Sequence, residues 1–387
     1  MRSSLLAVAA LTGLSLVVAC TQSSTGSSTG SEDIIGGVDA TGAKLNAIGA
    51  VGNKVGESGF DYFCTATLIA PDLVLTAKHC ATDGPPANRR HMDNDDVYFA
   101  VGPDSTKPLK MVKAKDVVIA PVNEGGFVKY GSDVAIYVLA EPITDIKPLR
   151  FAKAHLSRDQ VGKPYTAVGY GVRDRERTSG QRRAGAVTLR AVDGKPMQAI
   201  FENKDAFFGY LREKEGDSYI ESNKTRLEEF WEFSLLDQHE AYLGLGQDDA
   251  QPCSGDSGGP LVHKAADGEL EVVAVVSGSF KGWKYPCSLL GESYATLGPK
   301  VQEMIRDTQA CKGVPIEGKC EGTVAVRCVS DAEGPQKVTK TDCGLINQVC
   351  KIDANHKATC VDDDPPPPPP PPATDGGAPP PGDAGPG

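Results

Sequence analysis

Between Ile34 and about Arg306, short apolar runs are broken every few residues by Gly, Pro, Asn or Asp, and this rhythm narrows the fold more than any other feature. Leu73-Val74-Leu75, Val97 to Val101, Met111 to Val118, Val134 to Leu139 and Val272 to Val276 each have the length of a strand. A chain of such runs predicts an all-β sandwich or barrel. Val301-Gln302-Glu303-Met304-Ile305 instead spaces its apolar residues as a helix does, so a short helix closes the region. Residues 196–243 depart from the β texture. Phe207 to Glu215 and Thr225 to Phe233 are charged and partly helical in period. They read as a long insertion, either shaping a substrate cleft or packing on its own aromatics at the surface.

The two ends carry different signals. Met1-Arg2 is a short positive start, and Leu5 to Val18 is apolar but too short to span a bilayer. It ends in Val17-Val18-Ala19-Cys20, which resembles a bacterial lipobox, where cleavage precedes the cysteine and acyl chains are added to it. Ordinary cleavage near Ala19, leaving a free thiol, is the alternative. Residues 1–19 are therefore read as a lipoprotein-type signal peptide, and 20–33 as a flexible Ser/Thr/Gly tether or propeptide. The expected location is outside the cytoplasm, anchored on the envelope or released, with membrane contact only through that anchor.

Eleven cysteines are an odd number for an exported chain. Lipidation of Cys20 would leave ten, two pairs in the central region and three in the segment 311–361, in keeping with an oxidising compartment. That segment has too few apolar residues for a core of its own, so disulfides must hold it. Its six cysteines allow fifteen pairings, and their spacing matches no zinc pattern. Residues 362–387 are a proline-rich disordered tail, in which Pro365 to Pro372 form a stiff rod of about 25 Å at ~3.1 Å per residue. A net charge of −11 excludes a nucleic-acid binder, which needs a basic face.

Serine-based acyl transfer needs a hydroxyl, an imidazole beside it and a carboxylate to orient the imidazole. Gly255-Asp256-Ser257-Gly258-Gly259-Pro260 places a serine in a glycine-rich turn, where the N–H groups of Gly255 and Ser257 can converge on one point. Of six histidines, His79 has a distinctive setting, Leu75-Thr76-Ala77-Lys78-His79-Cys80. Asp133 opens the run Ser132-Asp133-Val134-Ala135-Ile136-Tyr137-Val138-Leu139. The order His, Asp, Ser differs from that of subtilisin-like and α/β-hydrolase chains.

These motifs resemble the trypsin/chymotrypsin family of serine proteases over residues 34 to about 308. The resemblance implies two antiparallel Greek-key β-barrels with a short C-terminal helix, followed here by the small disulfide-rich module. It implies serine endopeptidase activity on protein or peptide substrates, with His79, Asp133 and Ser257 as triad and Gly255 and Ser257 as oxyanion hole. It also implies disulfides Cys64–Cys80 and Cys253–Cys287, no cofactor, no metal and a monomer. Two barrels sharing one cleft would explain triad spacings of 54 and 124 residues. Ile34-Ile35-Gly36-Gly37 resembles the mature N-terminus of the family, whose new amine pairs with the aspartate before the nucleophile, here Asp256. The residue before Ile34 is Asp33 rather than arginine or lysine, so another protease is expected to activate the zymogen. The specificity positions read Gln251, where trypsin-like enzymes have aspartate, with Ser277, Ser279 and Glu292, where a pocket-lining glycine is usual. The acidic run Asp93-Asn94-Asp95-Asp96 reads as a solvated turn rather than a calcium loop. The competing readings are a catalytically silent pseudoprotease and a surface-binding protein acting through the module 311–361.

Overall fold

The computed structural model describes residues 37–362, except 57–58, 84–88, 94, 123, 174–176, 247, 285–286, 312–313, 315–317, 330–336 and 354–356. The signal segment, Cys20, Asp33, Ile34 and the proline tail lie outside the described residues.

Six antiparallel strands close the first barrel: β1 Ile48–Val55, β2 Gly59–Ala70, β3 Leu73–Thr76, β4 Val97–Val101, β5 Lys110–Ile119 and β6 Ala135–Leu139. They pair around the ring in the order β1-β2-β3-β6-β5-β4 and back to β1. Every residue of β3 and β6 is buried, which is why both read as unbroken apolar runs.

The second barrel comprises β7 Pro164–Gly169, β8 Arg183–Ala191, β9 Glu240–Leu243, β10 Pro260–Lys264, β11 Leu270–Lys281 and β12 Ser288–Thr296. The ring runs β7-β8-β9-β12-β11-β10 and closes through β7 and β10. The two rings thus have one strand order, and the fold is the two-barrel chymotrypsin architecture. Val38 and Asp39 pair with Ala184 and Arg183 at the edge of β8.

Between β8 and β9 stand three helices, α1 Pro196–Ile200, α2 Lys204–Glu215 and α3 Asp217–Glu232. Asn203 caps α2 by accepting the Ala206 N–H at 2.9 Å. Met197, Phe207, Leu211, Leu227 and Phe230 form a core that continues onto Phe280 and Leu290 of the barrel. The insertion therefore packs on the second barrel rather than on itself alone. It also ends earlier than expected. Residues 240–243 form barrel strand β9, and not part of the excursion, because they pair with β8 and β12 and all four are buried.

Helix α4, Pro299–Ala310, follows β12, with Pro299 at its first position and Val301, Met304 and Ile305 buried. It leads into the module, a three-stranded sheet of β13 Lys319–Glu321, β14 Val324–Val329 and β15 Lys337–Asp342, and a hairpin of β16 Gln348–Ile352 and β17 Ala358–Asp362. Its disulfides are Cys311–Cys328, Cys320–Cys350 and Cys343–Cys360. The barrels carry Cys64–Cys80 and Cys253–Cys287.

Candidate active site

His79 sits in the single helical turn Lys78–Cys80 that follows β3, and the Cys64–Cys80 bond ties this turn to β2. Asp133 lies just before β6. Because β3 and β6 are hydrogen-bonded neighbours, the two residues meet at one end of the barrel. His79 Nδ1 is 2.8 Å from Asp133 Oδ2, and the His79 backbone N–H donates to Oδ1 at 2.9 Å. Ser277 Oγ, from β11 of the other barrel, donates to Oδ2 at 2.6 Å. The Asp133 side chain is 1% exposed and the imidazole 21%. Burial alone would raise the Asp133 carboxyl, but the His79 charge and the hydrogen bonds of His79 and Ser277 hold it below the usual carboxylate range. Burial likewise works against an imidazolium, yet the Asp133 charge and hydrogen bond raise His79 above its ordinary value. With Nδ1–H directed at the carboxylate, Nε2 is left as the acceptor on the open side.

Ser257 belongs to the turn between Cys253 and Gly259. Three carbonyls of this turn are held by residues outside it: Ser254 O accepts Val172 N–H at 2.9 Å, Gly255 O accepts Thr65 Oγ1 at 2.8 Å, and Ser257 O accepts Thr65 N–H at 2.9 Å. Among the described residues, the N–H groups of Gly255 and Ser257 donate to no protein acceptor. That leaves two amides for an oxygen bearing developing charge. Gly258 is held at φ +76°, and a side chain there would strike Thr76 Oγ1 and the Thr65 carbonyl. Ser257 and His79 line one cavity of about 390 Å³ between the barrels. No hydrogen bond joins Ser257 Oγ to His79, a spacing that active sites without substrate often show.

Asp256, 1% exposed, accepts the N–H groups of Cys253 and Gly171 at 2.8 Å each. Burial pushes its carboxyl up to about 6, with those two hydrogen bonds offsetting part of the effect. Among the described residues it forms no ion pair. Its expected partner Ile34 lies outside them. Gly171 is required at its position because a Cβ would meet the Asp256 carboxylate at 2.5 Å.

The specificity positions divide. Ser279 and Glu292 line the cavity at Ser257, whereas Ser277 is turned to Asp133. Gln251 borders a neighbouring cavity of about 360 Å³, which Glu292 also touches. Glu292 is 5% exposed and stands opposite Ser279 in the β11–β12 ladder. Lys281 is on the same wall, its Nζ 2.8 Å from Ser254 Oγ.

Two supporting residues were not singled out for a role by sequence. Thr65 donates twice to the Ser257 turn, from its N–H and its hydroxyl, and that hydroxyl accepts the Tyr170 N–H at 3.1 Å. Lys78 is fully buried, and its ammonium donates to the carbonyls of Val122 at 2.5 Å and Tyr130 at 3.0 Å. Burial lowers this lysine to about 8, against the pull of Asp133. In sequence, Lys78 shows only as the charged residue beside His79 in Leu75-Thr76-Ala77-Lys78-His79-Cys80.

Two six-stranded rings of one topology, with an aspartate–histidine pair from the first facing a glycine-turn serine from the second, place the protein in the class of two-barrel chymotrypsin folds. The family model for trypsin matches residues 34–218, and this stretch belongs to the trypsin/chymotrypsin-like serine protease family. The match takes in His79 and Asp133 and stops within the helical insertion, before Ser257. No curated protein matches the chain.

Proposed function

We propose that this protein is a serine endopeptidase working through an acyl-enzyme. The observation that carries this reading is the hydrogen-bonded Asp133–His79 pair on the same cavity as Ser257 and two unengaged N–H groups. Ser257 Oγ attacks the scissile carbonyl carbon while its proton passes to His79 Nε2. The carbonyl electron pair moves onto oxygen, where the Gly255 and Ser257 amides receive it. Collapse breaks the C–N bond, and His79 returns its proton to the departing amine. Water then repeats the sequence on the ester, releasing the carboxylate product and restoring Ser257. Asp133 stays ionised throughout and keeps the proton on Nδ1.

Among the described residues, the edge of β11 beyond Val275 has β12 on one side and no strand on the other, since β10 pairs no further than Val275. An extended peptide can add there by main-chain hydrogen bonds. The buried carboxylate of Glu292 on the cavity wall suits an arginine or lysine side chain. Arginyl peptide anilides should then be cleaved faster than apolar ones, with Glu292→Gln removing most of the difference. Equal rates in wild type would overturn this preference. For the reaction itself, a fluorophosphonate probe should label the activated wild type and not Ser257→Ala. Absence of labelling in wild type would favour a silent, binding role.

The chain is made as an exported zymogen, anchored through Cys20 and activated by a second protease cutting before Ile34. No cysteine in 21–33 could tether the propeptide afterwards, so activation frees the enzyme from the membrane. N-terminal sequencing of the active form should read Ile-Ile-Gly-Gly. Full activity in a chain still joined to Cys20 would refute this.

A further inference from the structure

The helical insertion contributes no residue to the wall of the cavity at Ser257 among the described residues, yet it grips both loops beside that cavity. Glu215, the last residue of α2, is 5% exposed, and its carboxylate accepts the Trp283 N–H at 3.0 Å and the Lys284 N–H at 2.9 Å. Tyr219 Oη donates to the Lys281 carbonyl at 3.1 Å, and its ring meets Trp283 edge-on at 5.2 Å. Gly282 is left without room for a side chain by the Glu215 carboxylate. This loop joins Lys281 on the cavity wall to Cys287, which is bonded to Cys253 at the start of the nucleophile turn.

On the other side, Glu240 stands where the insertion rejoins the barrel, 2% exposed. Its carboxylate accepts Phe127 N–H at 2.6 Å and Leu236 N–H at 2.9 Å. Phe127 packs on Phe230 and Phe233 at ring distances of 5.3 and 5.2 Å. With Val128 it fills the space above Gly278, where a side chain would strike Val128. The same stretch ends at Tyr130, whose ring is 5.7 Å from that of His79. Carboxylates taken out of water are costly unless hydrogen bonds satisfy them. A mere surface excursion needs neither of these two.

We propose that the insertion is a buttress: with Glu215 on residues 281–284, and with Phe230 and Phe233 on the Phe127 that Glu240 of β9 anchors, it fixes these two stretches as walls of the substrate cleft, which makes Glu215 and Glu240 positioning residues for substrate selection. The word substrate here rests on the peptidase reading; the buttress does not.

The test uses the activated full-length protein with Glu215→Ala, Glu215→Gln and Glu240→Ala. Three measurements are made: amide hydrogen exchange at Trp283, Lys284 and Phe127, kcat and KM on peptide anilides with one or four residues before the cleaved bond, and Ser257 labelling by diisopropyl fluorophosphate. Each alanine variant should raise exchange at its own loop, and KM for the longer anilide should rise about tenfold, the size of one or two lost charge-assisted hydrogen bonds. Labelling and kcat should stay within about twofold, and Glu215→Gln, which keeps one acceptor oxygen, should recover part of the loss. Unchanged exchange and KM would overturn the proposal. So would parallel losses in kcat and labelling, which belong to general support of the triad. Should Glu215→Ala fail to fold, Tyr219→Phe removes only the hydroxyl bond to Lys281 and should shift exchange and KM the same way by about threefold. If wild type is not labelled at all, the peptidase reading falls and the exchange data alone decide the buttress.

Discussion

The two barrels share one strand order and differ in how their second and third strands are joined. In the first, Pro71-Asp72 turns β2 directly into β3. In the second, residues 192–239 intervene between β8 and β9, and the ring still closes. Ring closure depends on strand pairing, and the entropic cost of a longer connection grows only slowly with its length. The insertion instead marks where the family match ends. The barrels also differ in the buried ion placed before His79 and before Ser257. Lys78 precedes His79 and faces carbonyl oxygens; Asp256 precedes Ser257 and faces N–H groups. The sign of each ion follows from which end of the peptide dipoles its loop presents.

The sharpest test of the comparison asks whether the halves act as one machine. Ser257→Ala and His79→Ala should each lower kcat by ~10⁶, and the double variant should be little worse, because each removes the same proton-coupled attack. Additive losses would show two separable contributions instead. Asp133→Asn should cost ~10⁴ in kcat, the scale known for this triad in other members of the family. It should also move the pH profile. His79 must be neutral to act as base, so activity falls as pH drops through its value, which Asp133 holds above the ordinary 6.5. Removing that charge should carry the acid limb to lower pH, as measured by kcat/KM from pH 5 to 9.

Much of this was legible in sequence because it is carried by local pattern. Met111 to Val118 lies within β5, Val134 to Leu139 overlaps β6, and Val301 to Ile305 marks α4. The nucleophile turn could be read because its steric demands fall on adjacent residues, such as Gly258. What escaped depends on distant partners. Strand β9 begins with a glutamate and does not look like a buried strand until the Phe127 N–H, 113 residues away, is brought to it. Lys78 binds main-chain carbonyls, which every residue possesses, so nothing at Val122 or Tyr130 could announce it. The pairing of the six module cysteines depends on how β13 to β17 fold, and among fifteen possibilities spacing alone has no preference.

The smallest expected effect concerns the two buried ions, whose pH dependences occupy separate windows. Asp256 is raised from 3.8 to about 6, so between these values the folded uncleaved chain holds a proton that the unfolded chain has lost. Stability from this group is present below about 3.8 and lost as pH rises through 6, about 3 kcal/mol at ~1.36 kcal/mol per unit. Glu240, raised from 4.5 to about 7, acts in the same direction over an overlapping window. Lys78 is lowered from 10.5 to about 8, so its cost is complete below 8 and is relieved as pH rises toward 10.5, again about 3 kcal/mol. Urea midpoints of the uncleaved protein should therefore fall between pH 4 and 7 and recover above 8. Asp256→Asn should flatten the first limb down to the share of Glu240, and Lys78→Met should flatten the second. Cleavage before Ile34 should reverse the Asp256 contribution, because an ammonium beside the carboxylate lowers it and stability is then lost as pH falls. An uncleaved protein whose acid limb is unaffected by Asp256→Asn would mean that the second barrel does not bury a lone carboxylate, and the opposition between the two barrels would fail.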